Sequence, residues 1–350
     1  VARGSGPRAD RRDVVAAPRR RGAGTLRWLL SAGVVAVLAA TSACSLIPAD
    51  DQASPAESSR VPTASSTSTS PGSASRSRIP TPTPSSSEAD PTRCRPDDCP
   101  KLATPATSLM RSGVDGSNAR TAVPRYLTTL LDDLDETWGG WFTELGWGDP
   151  APGRVLIRSG TAYRTDCTDE DGVSPRIRSD EANAFFCSVD RAPDGDGRST
   201  VGSVVLPVDT FAAIWDGDVF GVPSPIVGDF TAAIVVAHEY GHNVVHRMAE
   251  RFDIPAVRLP QGKNSELLAD CLASNWASTA YKRDALGPKE ILQVATLLPI
   301  IGDTGGATGH GSAVERAKAL TIGLTGPQFN RQGQPSDCLT KYWPEFYSVR

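Results

Sequence analysis

The chain has 350 residues, with 36 Lys and Arg against 40 Asp and Glu, and a formal net charge of −4 at neutral pH. That balance excludes the basic patch or stripe that marks a nucleic-acid partner. Its apolar fraction of 39% is low for a compact globule, but the deficit is concentrated in roughly the first hundred residues, so the remainder can still bury a full core.

The N-terminus reads as an export signal. Arg8, Arg11, Arg12 and Arg19 to Arg21 form a basic region, Trp28 to Ala40 an apolar one, and the small residues of TSAC end at Cys44. An apolar run of about sixteen residues spans only about 24 Å as a helix, against the roughly 30 Å hydrocarbon core of a bilayer, so a cleaved signal is expected over a permanent span. Small residues before a single cysteine resemble a bacterial lipobox, with Thr41 departing from the usual aliphatic residue. Residues 1–44 are then signal peptide, Cys44 becomes a lipidated N-terminus, and the chain is expected on the outer face of the cell membrane. Secretion or a signal anchor is the alternative. Residues 45–105 are assigned to a linker. Its Ser-, Thr- and Pro-rich part, Ala53 to Pro91, cannot bury enough apolar surface to offset its ordering entropy. As a coil of about forty residues it would tether the folded part roughly 35 Å from its anchor. Residues 106–350 are assigned to one domain.

Of seven cysteines, six remain if Cys44 carries lipid, and an even number in an exported chain argues for disulfides. Cys94 with Cys99, Cys167 with Cys187, and Cys271 with Cys338 are three candidate pairs, although six cysteines permit about fifteen connectivities.

Within the domain, Ala122 to about Trp141 is an amphipathic helix, with Tyr126, Leu127, Leu130, Leu131 and Leu134 at helical spacing. Trp138, Trp141 and Trp147 read as core, with a peptide groove as the alternative. RVLIRSG, AFFCSV and SVVLPVDTF read as strands bounded by turn signals. Pro207 in SVVLPV suits an edge strand, either a simple sheet edge or one with which another extended chain could pair. Asp229 is the expected N-cap of a helix running to about Glu250, and Ser265 the cap of the next. Pro288 to Ile300 reads as a third helix. Ser312 to Leu324 reads as a fourth, with Ser312 and Glu315 forming a capping box.

Chemistry concentrates in HEYGH, His238 to His242. On a helix His238 and His242 share a face and can bind one metal ion, with Glu239 placed to act on a water beside it. Such a motif alone arises by chance in roughly one chain of this length in a hundred. A second observation supports it: Glu266 and Asp270, in NSELLADCLASNWA, are also four apart, the spacing wanted for a third ligand and a carboxylate that orients a ligating histidine. His246 lies about 6 Å further along the helix axis than His242, too far for one tetrahedral ion to take all three histidines, and reads as structural. Tyr240 faces away from the metal side. His310, in TGHGS, is a candidate oxyanion stabiliser, with a locally bonded helix-entry residue as the alternative.

HEYGH with ELLADCLASNWA resembles the neutral zinc metallopeptidase family, whose members carry HEYGHHVQ-like and ELQADC-like motifs. ANAFFCSVD resembles that family's NAFYCPSD segment, and HGSAVER its HGS…QR segment. The resemblance spans roughly Tyr126 to Cys338. Asn243 and Val245 depart from HEYGHHVQ, and RAPDGDGRST is an insertion. The resemblance implies a zincin-like α+β fold, a helical bundle carrying HExxH beside a small, partly irregular sheet, and favours the Cys167–Cys187 and Cys271–Cys338 pairings. The expected activity is peptide-bond hydrolysis outside the cytoplasm with one Zn2+. His238, His242 and Glu266 would be its ligands, Glu239 the base, Asp270 the residue orienting a histidine, and a peptide or protein the substrate. The rival classes are a non-catalytic, zinc-stabilised envelope lipoprotein that binds a protein partner, and a metal-free scaffold.

Overall fold

The computed structural model describes residues 92–107, 109, 111–168, 172–287, 289–290, 293 and 309–348. The signal segment, Cys44, the Ser/Thr/Pro-rich tract and most of the helix expected over Pro288 to Ile300 lie outside them. The described chain mixes helices with small sheets, as the α+β expectation required. In chain order it runs α1 (Ala119–Leu145), β1 (Gly153–Ile157), β2 (Ala162–Arg164), β3 (Arg176–Arg178), β4 (Phe185–Pro193), β5 (Ser199–Pro207) and α2 (Val208–Ala213). Then come β6 (Asp218–Val219), β7 (Val222–Pro223), α3 (Asp229–Arg251), α4 (Lys263–Lys282), α5 (Ala313–Thr325) and α6 (Pro335–Tyr342).

The main sheet has the order β1-β5-β4, parallel between β1 and β5 and antiparallel between β5 and β4. SVVLPV therefore lies in its central strand, which corrects the edge-strand expectation. Pro207 pairs with Ile157 as the last residue of β5 and is the N-cap of α2, so its missing N–H falls where the ladder ends. The residues after it, VDTF, are helical. The strand at the other side, β4, is an edge, and the RAPDGDGRST insertion is the tip of its hairpin with β5. There Asp194 accepts bonds from the backbone N–H groups of Asp196 and Arg198, each at 2.9 Å.

The core forms on one side of α1, where Leu127, Leu130, Leu131, Leu134, Trp138 and Trp141 are buried. The three tryptophans are core, not groove: Trp138 and Trp141 are 1% exposed and Trp147 4%. Two of them also correct the domain boundary at residue 105. Trp147 Nε1 donates to the Thr92 carbonyl at 3.2 Å, and Trp141 Nε1 to that of Pro100 at 3.0 Å. Arg93 stacks over Phe252 and Phe346, and Leu102 is buried. Residues 92–105 are thus a strap packed on the domain, closed by the Cys94–Cys99 disulfide.

α4 is the central helix of the bundle, and glycine brings a helix close to it on two sides. A Cβ at Gly241 of α3 would lie 2.9 Å from the Ala269 carbonyl oxygen, and one at Gly323 of α5 only 2.1 Å from that of Cys271. Only glycine permits such backbone approaches. The Cys271–Cys338 bond ties α4 to α6, and Cys167–Cys187 ties the loop after β2 to β4. All three expected pairings are present, and such bonds belong to an extracellular or otherwise oxidising environment. Among the described residues no helix is long and apolar enough to cross a membrane.

Two caps differ from expectation. Gly228 precedes α3, and Asp229 is its first residue, its carboxylate accepting from the Ser112 backbone N–H at 2.7 Å and the Ser112 hydroxyl. α4 begins at Lys263 because Gly262 takes a positive φ of 51°, which puts Ser265 inside its first turn. The Ser312/Glu315 capping box is formed as expected.

Candidate metal centre

The Gly241–Ala269 approach brings the HEYGH face of α3 against the first two turns of α4. His238 Nε2 lies 3.3 Å from His242 Nε2 and 3.3 Å from Glu266 Oε2, and His242 Nε2 lies 3.5 Å from Glu266 Oε1. Ligands about 2.0–2.1 Å from a tetrahedral ion stand roughly 3.3–3.4 Å apart, and the spacings of His238 Nε2 from His242 Nε2 and from Glu266 Oε2 match that, while Glu266 turns its other oxygen to His242. Two imidazole nitrogens and two carboxylate oxygens this close repel unless a proton or cation lies among them. Among the described residues this is the group of His, Cys, Asp and Glu side chains whose ligand atoms could together hold a metal ion.

The surroundings fix which nitrogen of His238 donates to Asp270. Asp270, 3% exposed, receives a two-pronged bond from Arg316, Nε to Oδ2 at 2.7 Å and Nη2 to Oδ1 at 2.8 Å. Burial opposes ionisation of Asp270, but Arg316 and His238 outweigh it and hold the carboxyl down at about 2. It is therefore an acceptor, and His238 Nδ1, 2.9 Å from Oδ1, is the donor. That leaves Nε2 as the nitrogen facing Glu266 and His242, the one a metal ion would take in place of a proton. Burial would lower the His238 pKa, yet its bonds to Asp270 and Glu266 raise it to about 10; burial, with charged His238 beside it, lowers His242 to about 4. Burial likewise opposes ionisation of Glu266, which His238 and His242 nevertheless hold at about 2.

Glu239 follows His238 and is 9% exposed. One oxygen, Oε2, accepts the Phe186 backbone N–H at 2.9 Å, so the edge strand β4 anchors the carboxylate. Burial raises its pKa to about 7, with Glu266 adding to the rise and His238 opposing it. A carboxyl with that pKa can both take and return a proton near neutrality.

The other sequence candidates fall outside the triad. His246 packs on Phe186, ring centroids 5.5 Å apart, with Nε2 3.2 Å from Glu250 Oε1, which agrees with a structural role. Tyr240 is buried and donates to Asp135 Oδ1 at 2.7 Å. Asn243 donates to the Pro150 carbonyl at 2.7 Å and so holds α3 to the chain entering β1. His310 is exposed on the turn before α5, close enough for its charge to help depress Glu266. Two contributors were not assigned from sequence. Arg316 stands in HGSAVER, and the segment itself was the available signal. The Phe186 N–H is a backbone group with no residue-type signature.

The chain is similar to an uncharacterized protein of Mycobacterium tuberculosis, Rv2575, at 31% identity over 176 residues, covering 42% of this chain and 57% of that protein. It is also similar to the uncharacterized protein YpfJ of Escherichia coli K12, at 24% identity over 187 residues, covering 51% of this chain and 56% of that one. The chain thus spans just over half the length of these curated relatives. No family model matches it, and no solved structure does.

Proposed function

We propose that this protein is a zinc-dependent peptidase of zincin-like architecture working outside the cytoplasm. The observation that carries this reading is the convergence of His238, His242 and Glu266 at 3.3–3.5 Å, with buried Glu239 next to a ligand in sequence. A zinc ion in this triad would supply a Lewis acid that polarises a peptide carbonyl and brings the pKa of a water to near neutrality. Glu239 accepts the proton of the attacking water as its oxygen bonds to the carbonyl carbon. It then delivers that proton to the amine nitrogen as the C–N bond breaks, giving a carboxylic acid and an amine. The Phe186 N–H keeps one Glu239 oxygen fixed while the other exchanges the proton. Asp270 and Arg316 hold His238 in its ligating tautomer, and His310 is the candidate for stabilising the oxyanion. The presence of Glu239 favours a hydrolase over a zinc-stabilised binding protein, since a purely structural site needs no base beside its ligands. The resemblance of HEYGH and ELLADC to motifs of the neutral zinc metallopeptidases points to the same class.

The same reading puts the mature chain on the outer face of the membrane, held by lipid on Cys44. Labelled fatty acid should enter the wild-type chain in cells and not Cys44→Ala; an unlabelled wild type removes the anchor. The test of the activity is incubation of the purified protein with a peptide library. Cleavage should be abolished by a chelator and restored by zinc. Cleavage that survives full metal removal would overturn the assignment.

A further inference from the structure

We propose that Arg316 is a positioning residue of the metal centre, setting the ligand His238 through Asp270; this rests on the His238–His242–Glu266 reading of the site. Three polar contacts form one line from α5 to the ligand atom. Arg316 Nε and Nη2 grip the two Asp270 oxygens at 2.7 and 2.8 Å, and Oδ1 also accepts from His238 Nδ1 at 2.9 Å. The ion pair at its far end is dry, Arg316 being 5% and Asp270 3% exposed.

The planar fork does one thing that a point charge cannot and one that any cation would. It fixes the plane of the carboxylate, and with it the plane of the His238 ring. It also neutralises the carboxylate that faces the imidazole N–H. With Arg316 behind it, Asp270 keeps one oxygen facing His238 Nδ1, so the ring is held with Nε2 toward Glu266 and His242.

A simple docking role for Arg316 is poorly matched to the structure, because α5 is already held against α4 by other means. Gly323 sits against the Cys271 carbonyl, Asn275 Nδ2 donates to the Gly323 carbonyl at 2.9 Å, and Lys263 pairs with Glu315 at 2.9 Å. From Arg316 to Gly323 is about two helical turns, so one face of α5 carries both the packing contact and the guanidinium. A buried ion pair is in any case weak evidence of a gain in stability.

The test compares full-length wild type, Arg316→Lys, Arg316→Gln, Asp270→Asn and the Arg316→Gln/Asp270→Asn double variant. The readouts are zinc affinity by competition with a chelating indicator, the visible absorption of the cobalt-substituted protein, and thermal stability of the ion-free chain. Arg316→Gln should lose about 10–100-fold in zinc affinity and shift the cobalt bands. Arg316→Lys, which keeps the charge and loses the fork, should shift the bands with little change in melting temperature. In the Asp270→Asn background, Arg316→Gln should change affinity no further, since the route to the ion is already cut. Arg316→Gln with a lowered melting temperature but wild-type affinity and spectrum would make Arg316 a structural tie and overturn the proposal. So would an equal loss of affinity with Asp270 already removed. Should Arg316→Gln fail to fold because Asp270 is left unpaired, Arg316→Lys and the double variant against Asp270→Asn decide alone. A wild type that binds no zinc overturns both this proposal and the peptidase reading, whereas one that binds zinc without cleaving peptides overturns only the latter.

Discussion

Replacing Gly241 by alanine asks whether the contact between α3 and α4 sets the spacing of the candidate ligands. The new Cβ would lie 2.9 Å from the Ala269 carbonyl oxygen and 3.0 Å from its Cα, both backbone atoms that no rotamer change can move. Ordinary contact begins near 3.4 Å, so the helices must part there by roughly half an ångström. Gly241 adjoins His242, and Ala269 adjoins Asp270, so the shift reaches both halves of the site directly. The Glu266 oxygens, now 3.3 and 3.5 Å from the two histidine nitrogens, would move off by a similar amount while the histidines, both on α3, keep their own spacing, and such a constellation tolerates errors of only about 0.5 Å. Stability combines two opposing effects. Alanine is favoured over glycine within a helix by about 1 kcal/mol, while overpacking costs about 1–3 kcal/mol. The net loss is then up to about 2 kcal/mol, a few degrees in Tm for a domain of this size. Zinc affinity should fall at least about tenfold. Thermal denaturation of the ion-free protein and an indicator-competition titration measure the two effects separately. A Gly241→Ala protein that gained the full helix-propensity term and kept its zinc affinity would refute the reasoning.

Two further perturbations probe the frame and the protonation state. Breaking the Cys271–Cys338 bond with Cys338→Ala should cost about 2–4 kcal/mol in denaturant unfolding, and free thiols at both positions in non-reducing peptide maps of the wild type would contradict the pairing. In the ion-free centre the raised pKa of His238, about 10, means that it carries an extra proton at neutral pH, which a metal at Nε2 must displace. Zinc binding should therefore release at least about one proton, and the affinity should tighten roughly tenfold per unit between about pH 7.5 and 9. Calorimetry in buffers of different ionisation enthalpy counts that proton; heats independent of the buffer would show that His238 was never protonated.

The parts legible in the sequence were those written in local spacing. HEYGH places two histidines on one face wherever the chain is helical, and the Ser312/Glu315 pair announces its own helix start. The candidate cysteine pairs were right because export chemistry narrowed the choice and the family resemblance favoured two of the three. What failed depended on long-range packing. Arg316 meets Asp270 across 46 residues of chain, a distance over which no periodicity speaks. The central place of β5 did leave a trace: Val204, Val205 and Leu206 are consecutive apolar residues, all fully buried, the unbroken run of a strand covered on both faces rather than the alternation of an exposed one. Pro207 was read as an edge signal when it marks the strand's end. The strap over residues 92–105 was invisible because its main anchors are backbone carbonyls accepting from Trp141 and Trp147, which any residue type supplies.

In the proposed mechanism His238, His242 and Glu266 hold the ion while Glu239 moves the proton. Elemental analysis of zinc alongside peptidase rate, for Glu239→Gln and Glu266→Gln, tests that division most directly. Glu239→Gln should keep stoichiometric zinc and lose about 10²–10⁴-fold in turnover, whereas Glu266→Gln should lose the zinc itself, because two histidines alone make a weak site. Full zinc in Glu266→Gln, or full activity in Glu239→Gln, would contradict the account.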